Sequence, residues 1–321
     1  MSRKGLSQLK YMRLGEISRF ARRLAGLTYL DRSEFIFDLA SGEAQRLAQI
    51  ARTARGDGPR PILVLGVMPR SGTNFVRDLL AKHPDICADP GKLFEFPLLH
   101  AASDSVALTK RFVSYFPRNG EVMGDYDMLA RLAGSWLREL QDEAGDRRIL
   151  LKCPHVQYLP LAPLIFPDAD LVLCVRDGRD VVESSQKTFS RGLTRKTFTQ
   201  LAHEWQLATE AAYATAAQHD PATLLKYEEV HARPVATMQM LVERLGLNAD
   251  TYPFTEVERM PVRGSSASTK QDNTRWQPEE KTADFQPVGR WQAWKPAQMA
   301  RFDKIAGETL ARAGYQREVA R

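Results

Sequence analysis

The residues with the clearest chemical potential lie in a short turn, P-R-S-G-T-N at positions 69–74, which follows an apolar run. A buried strand, a small-residue turn and a helix together form a cradle for an anion, because the N–H groups of the turn and the positive helix end converge. Arg70 adds a cation, and Ser71, Thr73 and Asn74 add side-chain hydrogen-bond donors. We therefore expect a phosphate-like group to bind here.

The spacing of this turn differs from that of a nucleotide triphosphatase loop. Such loops read G-x-x-x-x-G-K-[ST], with a Lys directly after the second Gly and a hydroxyl that holds Mg²⁺. Here five residues separate Gly66 from Gly72, Thr73 follows the second Gly, and the cation Arg70 precedes it by two positions. The pattern is therefore poor for a P-loop kinase, which we keep as the alternative enzyme class.

A second group of polar residues follows another apolar run, 171–175. Arg176 is expected at the carboxyl end of that strand, with Asp177 as the N-cap of the next helix and Ser184 about two turns into it. From there both Arg176 and Ser184 can reach the crevice where open α/β sheets bind ligands. An Arg fork and a hydroxyl suit a phosphate. The alternative is a surface Arg–Asp pair beside a solvated Ser184.

The two motifs resemble the phosphate sites of sulfotransferases that use 3′-phosphoadenosine 5′-phosphosulfate (PAPS). The 5′-phosphosulfate loop of that family reads P-[KR]-[ST]-G-[ST]-[TN]. Its 3′-phosphate site has a Ser eight residues after an Arg, which is the spacing found in the second motif. The resemblance implies PAPS as co-substrate, PAP as product and no metal. It also implies donor contacts from seven residues of the two motifs: Arg70, Ser71, Gly72, Thr73, Asn74, Arg176 and Ser184.

Two later segments fit the same family in chain order. Tyr227, in a Tyr-Glu pair after an apolar run, resembles the residue that contacts the adenine, and half-buried packing at a sheet edge is the alternative. Gly289 and Arg290 belong to a Gly-x-Trp segment that resembles the one covering the nucleotide. The Arg-Lys-Gly triplet of cytosolic enzymes is absent at 284–286, so that its 3′-phosphate contact is either missing or supplied by Arg290 or Lys281.

The catalytic residues are less clearly marked. By analogy with phosphoryl transfer, positioning and electrostatic stabilisation should dominate sulfuryl transfer, and the resemblance gives Arg70 the leaving oxygen. Glu95 lies between two Phe, an environment that can raise a carboxyl pKa. Glu95 and His155 are the candidate general bases, and Lys152 is expected to contact the sulfate or the acceptor. The other candidate bases are acidic residues, Asp89 and Asp125.

An α/β fold can bring these residues together. Strand patterns end near residue 65 and lie at 148–152, 170–175 and 223–226. Helical patterns lie between and after them, near 75–82, 127–143, 177–188, 197–218, 234–245 and 296–313. This alternation predicts βαβ units and right-handed crossovers. The expected fold class is α/β, a three-layer sandwich with a central parallel sheet and a P-loop-like phosphosulfate-binding turn.

Two divisions of the chain are predicted: an N-terminal helical extension packed on the core, residues 1–58, and a sulfotransferase domain, residues 59–321. Apolar positions at helical spacing support the extension, including Phe35, Ile36 and Leu39. Its basic face could instead contact a membrane surface or a partner. Residues 259–288 show little periodicity and are expected to form a long loop over the substrate or the nucleotide.

The composition is that of an ordinary globular chain of 321 residues, with 43% apolar residues and a net charge of +6. A basic balance suits a polyanionic nucleotide, while the absence of Lys/Arg runs with interleaved aromatics argues against nucleic acid. No apolar run approaches the roughly 20 residues of a membrane span. Three cysteines without a secretory segment favour a cytoplasmic location, and Cys174 is expected to pack inside a strand.

The leading hypothesis is a PAPS-dependent sulfotransferase that transfers a sulfuryl group to a hydroxyl acceptor by in-line attack with a general base. The acceptor would be a carbohydrate, a lipid, a small metabolite or a peptide, and a homodimer is possible. Two alternatives stay open: a P-loop nucleotide kinase, and a non-catalytic nucleotide-binding protein.

Overall fold

A computed structural model of the protein describes residues 32–188, 196–220, 222–261 and 286–317. Within these residues five strands form one parallel sheet in the order β2-β3-β1-β4-β5. The strands are β1 Ile62–Gly66, β2 Ile86–Cys87, β3 Arg148–Cys153, β4 Asp170–Val175 and β5 Ala222–Lys226. The predicted α/β class and parallel sheet are confirmed, and only the two-residue β2 was not predicted.

Helices connect and flank the strands. They are α1 Ser41–Arg55, α2 Thr73–Leu80, α3 Ala102–Tyr115, α4 Asp127–Ala144, α5 Ala162–Ile165, α6 Gly178–Thr188, α7 Phe198–Gln218, α8 Tyr227–Ala232, α9 Pro234–Arg244 and α10 Pro296–Arg312. The six helices predicted after residue 59 are confirmed to within two residues at each end. The helical pattern over 35–39 was wrong, because only a 3-10 turn at Arg32–Glu34 precedes an irregular stretch up to α1.

Two hydrophobic cores lie on opposite faces of the sheet, because successive strand residues alternate between its faces. Leu63 and Leu65 of β1 pack with α1, α4, α6, α7 and α10, whereas Ile62 and Val64 pack with α2, α8 and α9. This arrangement confirms the three-layer sandwich. Cys174 of β4 is buried in the second core, and burial raises the pKa of its thiol to about 12, as expected of a packing residue.

Helix α1, which belongs to the predicted N-terminal extension, shares the first core. Its Leu47 and Ala51 are buried, and it crosses α4 closely at Gly134, where a Cβ would lie 2.4 Å from the carbonyl oxygen of Ala51. The division at residue 58 stays a prediction. Residues 1–31 of the extension and residues 262–285 of the predicted loop, including Lys281, lie outside the described residues.

The strand order determines which loops meet. Strand β1 is central, with β3 on one side and β4 on the other, and Gly66 is in register with Cys174. The carboxyl ends of these three parallel strands therefore lie at one edge of the sheet, at the switch point where open α/β sheets bind ligands. The turn after β1, Arg176 after β4 and Lys152 near the end of β3 are all brought to this edge.

Candidate active site

The turn after β1 has the backbone of an anion cradle. Arg70 and Gly72 both have positive φ, +83° and +91°, and Gly72 is the N-cap of α2. The Ser71 hydroxyl oxygen accepts a hydrogen bond from the Met68 N–H at 3.3 Å, which closes the turn on itself. First-turn N–H groups of a helix have no intrahelical acceptor, so those of Thr73 and Asn74 can bind an anion.

The two motifs found in the sequence are in direct contact. Arg70 Nε donates to Ser184 Oγ at 2.9 Å, and Arg176 Nη1 donates to the Arg70 carbonyl oxygen at 2.8 Å. Ser184 is fully buried and Arg176 is 5% exposed, so the alternative of a surface arginine beside a solvated Ser184 was wrong. Asp177 caps α6 as predicted, because its Oδ1 accepts from the Arg179 N–H at 2.9 Å.

Tyr227 lies between the two motifs. Its ring stacks on the Arg176 guanidinium, with 4.6 Å from Cζ to the ring centroid. The same ring fills the space over Gly72, where a Cβ would lie 2.2 Å from Tyr227 Cδ2. Burial raises the pKa of the Tyr227 phenol, while Arg176 acts in the opposite direction. Tyr227 is therefore a buried packing residue of the loop edge, and an adenine could contact only the part of its ring left uncovered.

The late Gly-x-Trp segment is fixed onto the second motif by Asp180 of α6. Its carboxylate accepts hydrogen bonds from three successive backbone N–H groups, those of Gly289 at 2.8 Å, Arg290 at 2.7 Å and Trp291 at 3.3 Å. Burial raises the Asp180 pKa, and nearby Arg176 and the N–H groups of Gly289 and Trp291 oppose that rise. Sequence reasoning missed Asp180. Its position one turn before Ser184, on the same helix face, could have revealed it.

The side chain of Arg290 belongs to the same region. Its Nε donates to the Gln286 carbonyl oxygen at 3.0 Å, and burial followed by repulsion from Arg176 lowers its pKa. Arg176 Nη2 in turn donates to the Pro287 carbonyl oxygen. Two neighbouring guanidinium groups repel each other, and a bound anion would relieve this repulsion.

On the β3 side of the turn, a cleft of about 300 Å³ opens beside α2. It is lined by Asn74, Arg77, Asp89, Lys92, Leu93, Phe94 and Lys152. Lys152 Nζ lies 3.2 Å from Glu95 Oε1 and 4.8 Å from the centroid of the Phe94 ring. Glu95 is brought there by a backbone bond, because the Phe96 N–H donates to the Lys152 carbonyl oxygen at 2.8 Å. Its side chain is 38% exposed, and can meet a solute.

The other candidate bases have partners of their own. His155 Nε2 lies 2.7 Å from Oε1 of Glu204, and its ring packs edge-on against His100. Asp89 lines the cleft but pairs with Arg77. Asp125 lies 4.0 Å from Lys110. Among the described residues, Glu95, His155 and Asp125 do not line the cleft themselves, but Glu95 contacts Lys152, which does.

Glu204 is a buried charge that sequence reasoning missed. Besides His155, it binds Lys196, whose Nζ lies 2.5 Å from Glu204 Oε1. Burial alone would raise the Glu204 pKa, but Lys196 and His155 outweigh this effect and lower it to about 2. A fully buried carboxylate held by an ammonium group and an imidazole stays ionised at neutral pH. This network joins the N-terminal end of α7 to the loop after β3.

The arrangement has a defined order along the sheet edge. The side chains of Arg70, Arg176 and Ser184 lie on the β4 side of the sheet edge. The anion cradle lies in the middle, and the Lys152–Glu95 pair lies on the β3 side. A group held in the cradle would therefore have cations on one side and a carboxylate with an ammonium group on the other. This geometry suits the transfer of an anionic group between two bound molecules.

Comparison with known proteins identifies the family. A family model described as "Sulfotransferase family" matches residues 61–251, more than half of the chain. This chain belongs to the sulfotransferase family. Membership of this family favours sulfuryl transfer over the phosphoryl transfer of the P-loop kinase alternative. The matched residues include both phosphate motifs, the Lys152–Glu95 pair and Tyr227.

Among curated relatives, protein-tyrosine sulfotransferase 1 of Danio rerio is 24% identical over 262 residues, which cover 79% of this chain and 72% of the relative. Protein-tyrosine sulfotransferase A of Caenorhabditis elegans is 26% identical over 198 residues, 59% of this chain and 51% of the relative. Among solved structures, the sulfotransferase domain from the Synechococcus PCC 7002 olefin synthase aligns with a TM-score of 0.51 at 18% identity, covering 80% of this chain and 96% of that domain. The protein described here therefore has the same fold as that domain.

None of the helices in the described residues combines the length and the apolarity needed to cross a membrane. In the same part of the chain, no group of three or more His, Cys, Asp and Glu side chains is arranged to hold a metal ion.

Proposed function

We propose that this sulfotransferase transfers the sulfuryl group of PAPS to a hydroxyl acceptor and releases PAP. The observation that carries the proposal is the contact between the two phosphate motifs, in which Arg70 Nε meets Ser184 Oγ at 2.9 Å. Residues 114 positions apart thus form one polar surface at adjacent strand ends. A donor with phosphates at both its 5′ and 3′ positions matches two anion sites better than a nucleotide with one phosphate cluster.

The proposed donor site uses residues from both motifs. The first-turn N–H groups of α2, with the hydroxyls of Ser71 and Thr73 and the amide of Asn74, would hold the 5′-phosphosulfate. Arg176 and Ser184 would hold the 3′-phosphate, with Arg290 supplying additional positive charge. Tyr227 and the segment at Gly289 would enclose the adenosine. Polar groups that bind phosphate work best when they are oriented before the donor binds. The hydrogen bonds of Arg70 to Ser184 and of Arg176 to the Arg70 carbonyl oxygen would keep them oriented.

PAPS would supply an activated sulfuryl group whose leaving group is a phosphate oxygen. Glu95 would take the proton of the acceptor hydroxyl as the new S–O bond forms and the old one breaks. Arg70 would stabilise the negative charge that develops on the departing phosphate. Lys152, next to Glu95, would hold the sulfuryl oxygens as they move between the two molecules.

The acceptor class remains open among carbohydrates, lipids, small metabolites and peptides. Because the two curated relatives described above are protein-tyrosine sulfotransferases, a tyrosine-containing peptide is the first acceptor to test. The cytoplasmic location, the homodimer and the absence of a nucleic-acid partner also stay predictions.

The donor site is tested by PAP binding, measured by calorimetry with AMP as the reference ligand. Arg176→Ala should weaken PAP binding by about 10- to 150-fold, since one buried charge-assisted hydrogen bond contributes about 1.5–3 kcal/mol. The matched control is Arg148→Ala at the amino end of β3, where the arginine binds the Arg60 carbonyl oxygen at 2.7 Å and also Asp170. That variant should lose stability and keep PAP affinity. Equal affinity of the wild type for PAP and AMP would refute the proposed donor.

Transfer itself is tested with radiolabelled PAPS and a panel of hydroxyl acceptors. Label should reach an acceptor in the presence of EDTA, because the proposed residues stabilise the leaving group without a divalent metal. Tight PAP binding with no acceptor labelled would favour the non-catalytic alternative. Loss of all transfer in EDTA would contradict the proposed roles of Arg70 and Lys152.

A further inference from the structure

The peptide unit that joins Arg176 to Asp177 is held at both ends. Its carbonyl oxygen accepts a hydrogen bond from the Trp205 indole N–H at 3.0 Å. Its N–H donates to Glu228 Oε1 at 2.9 Å. Because both bonds fix the plane of one peptide, they set the direction in which the Arg176 side chain leaves the end of β4. Gly178 allows the close approach of Trp205, since a Cβ there would lie 2.3 Å from the indole ring.

The carboxylate of Glu228 is itself oriented by a residue near the C-terminus. The Tyr315 hydroxyl donates a hydrogen bond to Glu228 Oε2 at 2.9 Å. Gly314, with φ of +76°, turns the chain after α10 so that Tyr315 reaches this position, and Lys226 Nζ lies 5.0 Å from the centroid of its ring. Burial, followed by the nearby Glu228 carboxylate, raises the pKa of the Tyr315 phenol, so it remains a donor at neutral pH.

We propose that Tyr315 is a positioning residue for the donor site, which acts through Glu228 on the Arg176–Asp177 peptide. The chain of contacts runs from the Tyr315 hydroxyl to one oxygen of Glu228, and from the other oxygen to the N–H beside Arg176. Glu228 directly follows Tyr227, whose ring covers the Arg176 guanidinium. A rotation of Glu228 would therefore disturb both the Tyr227 ring and the Arg176–Asp177 peptide. The inference rests on the proposed function, in that Arg176 binds a phosphate of the donor. Tyr315 lies outside the family match at 61–251.

The test compares two tyrosines that each donate one hydrogen bond in the same region. Tyr315→Phe removes the hydrogen bond to Glu228, whereas Tyr213→Phe removes a hydrogen bond of 3.2 Å to the Ala313 carbonyl oxygen and keeps the bond between Tyr315 and Glu228. Both variants should lower the midpoint of thermal unfolding by similar amounts. Only Tyr315→Phe should raise the Kd for PAP, by about three- to tenfold. In turnover it should raise the KM for PAPS and leave the KM for the acceptor unchanged.

A double-mutant cycle separates positioning from general destabilisation. Glu228→Ala should weaken PAP binding more than Tyr315→Phe, and adding Tyr315→Phe to it should cause no further loss, because Tyr315 acts through Glu228. Glu228→Gln, which keeps an acceptor for the Asp177 N–H, should recover most of the affinity lost in Glu228→Ala. The inference is overturned if Tyr315→Phe binds PAP like the wild type, if Tyr213→Phe weakens PAP binding equally, or if the two losses add. Failure of the wild type to bind PAP would overturn the proposed function instead.

Discussion

Gly72 offers the sharpest test of how the two phosphate motifs fit together. The substitution Gly72→Ala places a Cβ 2.2 Å from Cδ2 and 2.8 Å from Cε2 of Tyr227. Non-bonded carbons pack at about 3.5–4.0 Å, so the ring has to move by more than about 1 Å. The backbone adds a second cost, because φ at this position is +91° and a left-handed L-residue costs about 1–2 kcal/mol.

Moving the ring disturbs Arg176, on which Tyr227 stacks at 4.6 Å. A desolvated cation–π contact contributes about 1–2 kcal/mol. We therefore expect Gly72→Ala to lower the free energy of unfolding by about 2–4 kcal/mol. We also expect it to weaken PAP binding by at least about tenfold, since Arg176 and the loop both shift. Urea unfolding followed by fluorescence and calorimetric titration with PAP measure the two quantities.

The matched control is Gly246→Ala. Gly246 ends α9 with φ of +65° and no atom within 4 Å of its Cβ position, so it carries only the backbone cost of about 1–2 kcal/mol. The difference between the two variants isolates the contact with Tyr227. In a Tyr227→Ala background, Gly72→Ala should cost less than in the wild type. Equal destabilisation by the two Gly substitutions, together with wild-type PAP affinity in Gly72→Ala, would refute the reasoning.

Two further predictions concern charged groups. Glu95→Gln should lower kcat for sulfuryl transfer by about 10²- to 10⁴-fold and leave the Kd for PAP unchanged; a larger loss in His155→Asn than in Glu95→Gln would contradict this. The Glu204 pKa is lowered from 4.5 in the unfolded chain to about 2 in the folded protein. The ionised Glu204 carboxylate therefore stabilises the fold fully above pH 4.5, and this stabilisation is lost as the pH falls towards 2. Between pH 5 and 2, the wild type should lose about 3 kcal/mol more unfolding free energy than Glu204→Gln; parallel pH curves for the two proteins would rule this out.

The two motifs of the proposed donor site could be located in the sequence because the parts of each motif are local. Arg70 and the turn around it follow one apolar run directly, and Arg176 and Ser184 follow another at a fixed spacing. Each motif therefore marks the carboxyl end of the strand that precedes it. The sequence also predicts that both strands lie in one parallel sheet, and carboxyl ends of parallel strands share an edge. What it does not contain is the strand order, which makes β1 and β4 neighbours.

The parts that sequence reasoning missed depend on long-range packing. Helix α3 was not predicted, since its apolar residues Leu108, Phe112 and Tyr115 are exposed and do not form a core-facing stripe. Asp180 was missed because its three backbone partners lie about 110 positions away. Glu204 lies in a helix whose pattern gives no reason to expect a buried charge until Lys196 and His155 are placed beside it.

The general base was the hardest residue to place, and the fold explains why. Residues 89–97 contain no regular strand that would register Glu95 against the sheet, and the position of its side chain is set by two tertiary contacts. The Phe96 N–H bonds to the Lys152 carbonyl oxygen, and Arg77 holds Asp89 at the start of the loop. These contacts place Glu95 beside Lys152, whereas His155 pairs with Glu204 of α7. The proposal of Glu95 over His155 thus depends on tertiary packing, which no local motif encodes.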